Sequence, residues 1–348
     1  MATEVIHIID PSNAAGTDYI SLQAWVTAQR RNLVSANEIA IAECRGGRDY
    51  AFSALYVSFT DWTTDADHYI EIRNHSSEQN LGYFDDTKYY LDFNNSGDLI
   101  QFSAPHVRVH GIQFKITSAT GANPLNFFGA SGSPAPDWRF YNNIVYGLQA
   151  TYGLYFGAIR SAGGQIICTN NMIVNETSGS NGIYLYDSYG YATDLYVMNN
   201  SISTNAIGVR CVDNGGFISY QHIRNNLVYD ATTPFYPLET GTPNEWADND
   251  TQNDYNFCDD SDNCNVLGSH GGNSATIYFE SVTNGDLRLL DTAISVIGTG
   301  EDLSLNGTVP SVVKSILATD IAGNARGSIW DVGAFQLTIS NNKYQMMI

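Results

Sequence analysis

Positive charge is scarce in this chain, and the scarcity excludes several kinds of partner. Only 16 Lys and Arg stand against 36 Asp and Glu, which gives a formal net charge of −20. Such a surface repels nucleic-acid phosphates and anionic lipid headgroups. We therefore expect neither a nucleic-acid partner nor a membrane partner.

Long apolar runs, a leader and a disulfide framework are missing as well. No stretch approaches the ~20 apolar residues that span a membrane. Met1 is followed by Ala-Thr-Glu, with no basic or apolar leader region, so we expect synthesis in the cytoplasm without a signal peptide. The five cysteines are scattered and odd in number, and we expect them to be reduced. Cys258 and Cys264 are the one pair placed to close a small loop.

The polar surface is built mostly from uncharged residues. Charged residues make up 15% of the chain, below the ~25% of ordinary soluble proteins. Asn, Ser, Thr, Gly and 22 Tyr take their place, a mixture that suits strands and turns. One segment, residues 19–33, has helical spacing, with Leu22, Trp25 and Val26 on one face. Strand-like alternation follows it in two segments, residues 38–43 and 69–73.

A short strand that ends in Asn-Asn recurs four times through the middle of the chain. Its copies are Trp138–Tyr146, Ile166–Val174, Leu195–Ser203 and Gln221–Tyr229. The first Asn of each pair is Asn142, Asn170, Asn199 or Asn225, at spacings of 28, 29 and 26 residues. A second element keeps the same interval, with Gly153, Gly182 and Gly208 each followed by an aliphatic residue. The agreement of two elements in phase indicates a structural repeat.

A repeat of this length, with several short strands and no helix, fits one coil of a three-sided parallel β-helix. We predict an all-β, right-handed parallel β-helix of about ten coils, which would form a rod on the order of 50 Å long. The predicted organisation is an N-terminal capping helix within residues 1–35, the β-helix with its closing turns over residues 36–335, and a tail at residues 336–348. An irregular C-terminal cap completes it.

The Asn pair has a structural explanation. An Asn at the same corner of every coil can pass amide hydrogen bonds along the stack, and Asn tolerates the left-handed backbone of a sharp corner. We predict this ladder at the first Asn of each pair, namely Asn142, Asn170, Asn199 and Asn225. After the pair, apolar residues alternate in most copies and are expected to face inward. Ser201 and Ser203 break that phase.

Two segments resemble known β-helix proteins. Asp320–Phe335 has Asp-Ile-Ala-Gly-Asn followed by Arg326 and by Asp-Val-Gly-Ala-Phe. It resembles the closing turns of many proteins in the right-handed parallel β-helix, pectate-lyase-like superfamily. Asp18–Trp25 with Ala40–Cys44 resembles the opening of β-helix proteins from phage genomes. The resemblance implies the fold, and it implies a β-helical structural protein of a tailed bacteriophage.

No catalytic constellation is evident. Pectate-lyase-like enzymes use Asp-rich calcium sites beside a catalytic Arg or Lys, and residues 116–313 contain no lysine and only five arginines. Polygalacturonase-like enzymes need clustered aspartates near a Gly-His-Gly, and Ser269-His270-Gly271 lacks such partners. Three acids fall in coils where they could approach one another, and we interpret them as solvated: Asp187, Asp194 and Asp213.

Residues Asp248–Asn265 are rich in carboxylate and amide oxygens, which are ligands that Ca²⁺ prefers. The segment lacks the Gly and the closing Glu of an EF-hand loop, and a solvated acidic loop is the favoured interpretation. His106 and His110 share a strand face without an evident third ligand, so a packing role is favoured over a metal site. We expect no metal and no cofactor, with Ca²⁺ at Asp248–Asn265 as the alternative.

Two further features are candidates for contact with a partner. Tyrosines crowd one coil and could stack sugars or form a protein interface: Tyr184, Tyr186, Tyr189, Tyr191 and Tyr196. The alternative is an outward sheet face made of good strand formers. The chain ends in an apolar tail that we predict to bind a partner, and its candidate residues are Tyr344, Met346, Met347 and Ile348.

Two functions remain open. The first is a non-enzymatic structural protein of a bacteriophage virion, either a capsid decoration (cement) protein or a spike-like fibre. It would contact the major capsid protein or tail components and form a homo-oligomer, with a trimer favoured. The second is a polysaccharide lyase, glycoside hydrolase or carbohydrate-binding protein on the same scaffold.

Overall fold

The computed structural model describes most of the chain. The described residues are 1–50, 55–57, 60–94, 100–117, 125–129, 134–147, 151–157, 163–175, 178–187, 193–213, 220–236, 254–259, 272–273 and 278–337. The tail candidates Tyr344, Met346, Met347 and Ile348 lie outside them.

Short strands dominate the described residues. In chain order they are β1 (Thr3–Ile9), β2 (Glu38–Cys44), β3 (Arg48–Tyr50), β4 (Leu55–Val57), β5 (Ile70–Asn74), β6 (Tyr90–Phe93), β7 (Ile100–Phe102), β8 (His106–His110), β9 (Gln113–Ile116), β10 (Leu125–Phe128), β11 (Asp137–Tyr141), β12 (Ile144–Gly147), β13 (Tyr152–Gly157), β14 (Gly164–Thr169), β15 (Met172–Asn175), β16 (Asn181–Asp187), β17 (Thr193–Met198), β18 (Ser201–Thr204), β19 (Ile207–Asp213), β20 (Tyr220–Arg224), β21 (Leu227–Tyr229), β22 (Thr233–Tyr236), β23 (Phe257–Cys258), β24 (Gly272–Asn273), β25 (Phe279–Ser281) and β26 (Asp286–Leu289). The helices are α1 (Leu22–Gln29), α2 (Leu33–Ala36) and α3 (Ser311–Leu317).

The strands wind through three parallel sheets. Sheet 1 has the order β1-β2-β5-β8-β11-β14-β17-β20, sheet 2 has β24-β23-β21-β18-β15-β12-β9-β6-β3, and sheet 3 has β22-β19-β16-β13-β10-β7-β4. From β2 to β22 the chain visits sheets 1, 2 and 3 in turn and then starts the next coil. The predicted parallel β-helix is confirmed. The described residues form fewer coils than predicted, and the right-handed sense of the coil stays a prediction.

Alternation along each strand sends one set of side chains into a single core between the sheets. Aromatic rings stack through it from coil to coil, with ring centroids 4.7 Å apart for Phe102 and Phe127 and 4.9 Å apart for Phe127 and Phe156. These residues occupy equivalent positions on β7, β10 and β13. The register therefore places like side chains above one another.

The inward residues of sheet 2 differ from the expectation. The residues of sheet 2 that lie in the main core are Val145, Ile173, Ile202 and Val228. Each of them lies between the two positions of its strand that the alternation pattern assigned to the inward face. The apolar residues expected to face inward, such as Ile144 and Met172, belong to a second cluster on the outer side. Ser201 therefore faces the outer side, as Ile144 and Met172 do at the equivalent positions of the neighbouring coils. Apolar residues did not identify the inward face of sheet 2, because the outer face of that sheet is also buried.

The corner between sheets 1 and 2 gives the two residues of each Asn pair different tasks. Asn142, Asn170, Asn199 and Asn225 have φ between 54° and 57°. Asn is among the few residues that adopt this left-handed conformation at low cost. The first Asn therefore makes the turn, as predicted.

The hydrogen-bonded ladder lies one residue further along than predicted. Asn171 Nδ2 donates to Asn200 Oδ1 (3.0 Å), Asn200 Nδ2 to Asn226 Oδ1 (2.9 Å), and Asn226 Nδ2 to Asn256 Oδ1 (3.0 Å). All four side chains are fully buried. The prediction of the ladder at Asn142, Asn170, Asn199 and Asn225 is wrong, because no hydrogen bond joins these side chains in the described residues. Asn170 and Asn225 donate instead to the backbone of Thr319 and Glu301.

Helix α1 lies where helical spacing predicted it. Ser21 caps it, since its Oγ accepts the N–H of Ala24, and Asp49 on β3 accepts the N–H of Leu22. Trp25 is fully buried and its ring centroid lies 5.9 Å from that of Trp62. That α1 closes the end of the coil stack stays a prediction. Helices α2 and α3 were not predicted.

Residues 278–337, here the C-terminal segment, do not continue the coils as the predicted closing turns would. Strands β25 and β26 form their own antiparallel pair, and the segment runs along the outside of sheets 1 and 2. Against sheet 2 it buries Ile144, Met172, Val174 and Leu227. Against sheet 1 it buries Ile167, Tyr196 and Met198, using residues that include Leu303, Leu317 and Trp330. Within the described residues, no helix has the length and apolar character needed to cross a membrane.

Candidate binding face on the first sheet

Charged side chains are concentrated on the outer side of sheet 1, on strands β2, β5, β8 and β11. We call this surface the charged face, and it consists of Glu43, Glu71, Arg73, Arg108, His110, Asp137 and Arg139. Strict alternation in β5 and β8 sends every second residue outward. Parallel register then aligns Glu71, Arg108 and Arg139 in one row and Glu43, Arg73 and His110 in the next.

Glu71 is the centre of a network of paired charges. Its Oε1 accepts hydrogen bonds from Arg73 Nη1 (3.1 Å) and His110 Nε2 (3.0 Å), and Arg73 also donates to Glu43 (2.9 Å). Burial alone would raise the pKa of Glu71, but the hydrogen bond from His110 and the nearby charges outweigh burial, and the pKa lies below its ordinary value. Glu71 is thus held as a carboxylate.

Tyr141 covers this network. Its ring is stacked on the imidazole of His110, with centroids 4.6 Å apart and planes 6° apart. Burial raises the pKa of Tyr141, and the charge of Glu71 raises it further. The phenol therefore stays protonated and serves as a packing surface for the histidine.

Arg139 and Arg108 are neighbours in one row and have different surroundings. Arg139 binds both oxygens of Asp137, at 2.8 and 2.6 Å, and Gln165 donates to the same carboxylate. The Arg108 guanidinium lies 3.3 Å from the centroid of the Tyr69 ring. Among the residues that the structure describes, Arg108 has no ion pair.

Arg108 also lines a cavity of about 580 Å³ at the N-terminal end of the charged face. Tyr69, His68, Asp67 and Asn37 line the same cavity. His68 is fixed there by Asp65 (2.7 Å) and by Asn37 (3.1 Å). The arrangement offers the guanidinium of Arg108 to a bound group.

The predicted tyrosine patch is divided between two sheets. Tyr184 and Tyr186 lie on β16 in sheet 3, whereas Tyr196 lies on β17 in sheet 1, stacked on His222 and buried under the C-terminal segment. Tyr189 and Tyr191 lie outside the described residues. As a single patch the prediction is wrong, since consecutive strands of one coil belong to different sheets.

A different aromatic row is present on sheet 3. Register aligns Tyr155, Tyr184, Arg210 and Tyr236 on adjacent strands. The ring of Tyr184 stacks on those of Tyr152 and Tyr155, at 4.6 and 5.4 Å, and Arg210 lies over Tyr184 and Tyr236 at 5.2 and 5.1 Å. We call these five residues the tyrosine row. Tyr184 itself is only 9% exposed.

The predicted calcium loop lies mostly outside the described residues, which include only 254–259 of Asp248–Asn265. Asp259 accepts the backbone N–H of Asp230, and Asp254 accepts that of Tyr255. The part of the chain that the structure describes contains no group of three or more His, Cys, Asp or Glu placed to hold a metal ion. Cys258 is disulfide-bonded, so the expectation that all cysteines are reduced is wrong.

Other candidates are separated or engaged. Asp194 lies on sheet 1, whereas Asp187 and Asp213 are register partners on sheet 3. His106 and His110 share the outer face as predicted. His106 contacts Thr64 Oγ1 at 3.4 Å and His110 bonds Glu71, which agrees with a packing role.

The charged face was missed although its signal was present. The alternation of charged and apolar residues in His106–His110 and in residues 69–73 identifies two neighbouring outward rows. What the sequence did not show is that these strands are adjacent in sheet 1, since the interval between them, unlike that of the Asn repeat, is irregular. Arg108 was overlooked for that reason.

Comparison with known proteins gives no relative. No family model, no curated protein and no solved structure matches the chain. The parallel β-helix is thus defined by the structure alone, and the superfamily and phage resemblances remain predictions.

Proposed function

We propose that this chain is a non-enzymatic structural protein of a tailed-bacteriophage particle, either a capsid decoration protein or a spike-like fibre. The observation that supports it best is the continuous buried ladder from Asn171 to Asn256. Amide ladders of this kind hold successive coils in fixed register, and a stack of such coils resists bending and local opening. A rigid stack of coils suits a structural protein that bears load without changing its conformation.

The C-terminal segment adds to this support. It is fastened to the corner residues: Asn170 Nδ2 donates to Thr319 O (2.8 Å), and Asn225 exchanges hydrogen bonds with Glu301, whose N–H it accepts at 2.9 Å. Because the C-terminal segment packs along one side of the solenoid, the faces that it leaves uncovered are held in fixed positions. In the proposal these faces contact other virion proteins, and the chain forms a homo-oligomer, for which we favour a trimer.

The composition of purified particles tests the proposal. Quantitative mass spectrometry should find the chain in a fixed number of copies relative to the major capsid protein, and the ratio should survive a high-salt wash. Its absence from particles, while it is present in the lysate of infected cells, would refute the proposal.

A carbohydrate-binding protein is the second candidate, and the tyrosine row is the observation that favours it. Aromatic rings present flat apolar faces that stack on sugars. If it is correct, Tyr155→Ala should abolish retention on a glycan column that retains the wild type. Tyr50→Ala, which removes a tyrosine 66% exposed on another sheet, should leave retention unchanged. If the wild type is retained on neither neutral nor acidic glycans, the carbohydrate-binding proposal is wrong.

A further inference from the structure

The cavity that contains Arg108 holds an electrostatic feature that the fold does not explain. Arg108 lies part-buried between Glu71 and Arg139 in one row of sheet 1. The two carboxylates beside it on sheet 1 are directed to other cations: Glu71 to Arg73 and His110, and Asp137 to Arg139. The guanidinium thus carries its charge without a carboxylate partner among the described residues.

Holding the Arg108 guanidinium without a carboxylate partner is energetically unfavourable. Removing a charge from water without pairing it is unfavourable, and a second cation beside it adds repulsion. Burial lowers the pKa of Arg108, and the charge of Arg139 lowers it further. An anion in the cavity would offset both effects.

The geometry around Arg108 favours an oxyanion. The Tyr69 ring supports the guanidinium from one side, which leaves its N–H donors available for a two-pronged contact with a planar or tetrahedral oxyanion. Asn37 also lines the cavity, and its Oδ1 contacts His68 Nε2 at 3.1 Å. The volume of about 580 Å³ accepts a group well above the size of one phosphate.

We propose that the cavity lined by Arg108, Tyr69 and Asn37 is a binding site for an oxyanion, a carboxylate or a phosphate group, with Arg108 as its anchoring residue. The site is independent of the proposed role in a virion, since it requires only the folded coil. Asp67 lines the same cavity and is exposed, so its charge opposes the ligand and sets a modest affinity.

Arginine side-chain NMR of the full chain tests the site directly. In ¹⁵N-arginine-labelled protein, the Nε–H signal of Arg108 is identified by its loss in Arg108→Gln. Sodium acetate and inorganic phosphate are titrated separately against sodium chloride at constant ionic strength. We expect a saturable shift of the Arg108 signal with at least one oxyanion, and the tighter of the two identifies the ligand chemistry.

Arg288 provides the matched control. It also lies over a tyrosine ring, 4.7 Å from the centroid of Tyr83, but both oxygens of Asp286 bind its guanidinium. Its signal should stay unchanged over the same titration. Asp67→Asn should tighten binding severalfold because it removes the opposing charge. If the Arg108 signal shifts no more than that of Arg288 with either oxyanion, the proposal is wrong.

Discussion

At the corner between sheets 1 and 2, neighbouring asparagines solve two different physical problems. The first must reverse the chain direction, and it adopts the left-handed backbone that Asn tolerates. The second must satisfy the polar groups that a tight corner buries. Asn200 does so in full: its amide donates to Cys168 O and Asn226 Oδ1 and accepts from Asn171.

Substitution of each asparagine in one pair should separate the two tasks. Asn200→Ala leaves several buried donors and acceptors without partners, each at about 1–3 kcal/mol, so we expect a loss of at least about 3 kcal/mol in the free energy of unfolding. Asn199→Gly keeps the left-handed corner. It removes an amide that has no hydrogen-bond partner among the described residues, so the change should stay within about 1 kcal/mol. Urea denaturation measures both, and equal losses would contradict the assignment of the ladder.

Asp49 provides a second test at the residue scale. It is buried, accepts hydrogen bonds from Leu22 N and Tyr89 Oη at 2.8 Å each, and burial raises its pKa from 3.8 to about 6. The folded chain therefore binds a proton more tightly than the unfolded chain, and stability falls as pH rises from about 4 to about 6. The total loss is about 3 kcal/mol.

Asp49→Asn should remove this dependence. Both hydrogen bonds are made to Oδ2, so the amide oxygen at that position can still accept the N–H of Leu22 and the O–H of Tyr89. We expect the unfolding free energy of the variant to vary less than that of the wild type between pH 4 and pH 6, measured by urea denaturation at each pH. Asp67→Asn, at an exposed carboxylate, serves as the control and should keep the wild-type profile. An unchanged profile in Asp49→Asn would show that another group is responsible.

At the scale of elements, the C-terminal segment depends on one buried cation. Arg326 Nη2 donates to Gly333 O (2.9 Å) and to Asn170 Oδ1 (3.3 Å), and its guanidinium lies 5.4 Å from the Trp330 ring. Burial lowers its pKa to about 10, against the opposing charges of Asp320 and Asp331. Arg326 therefore joins the segment to the corner of the solenoid.

Loss of this cation should release the segment before the coils. Arg326→Met leaves buried acceptors such as Gly333 O and Asn170 Oδ1 without this donor, at a cost of about 1–3 kcal/mol each. We expect faster hydrogen exchange in residues 286–337, with the backbone amides of Asn171 and Asn200 still protected. Arg288→Met, at a more exposed ion pair, should exchange like the wild type. Simultaneous loss of protection in both regions would mean that segment and solenoid form one cooperative unit.

The elements also show how far one sequence determines the fold. The repeat at Asn142 to Asn225 predicted the parallel coils because residues one coil apart are in direct contact. The path of the C-terminal segment was not predicted, since contacts such as Asn170 with Thr319 join residues that no periodicity relates. For the same reason the outer apolar residues of sheet 2 were expected to face inward, and Arg108 could not be placed beside Tyr69.

At the scale of the whole molecule, the described chain is a stack of coils with an apolar interior, a hydrogen-bonded corner and a braced side. Eight strands in sheet 1, at a spacing of about 4.8 Å, make a body on the order of 35 Å along its axis. The strand register fixes the contacts between successive coils. A shift of one described coil against the next would break the hydrogen bonds of the Asn ladder. In the proposed function, such a body acts through its position on a larger assembly, and this is the central claim of the proposal.

Electron cryomicroscopy of purified particles tests that claim most directly, with particles from a phage in which the coding sequence is interrupted as the control. We predict density for a three-sided parallel solenoid at symmetry-related sites on the wild-type particle, and its absence from the control. Identical density in both particles, with the chain recovered only from the soluble lysate, would contradict the account.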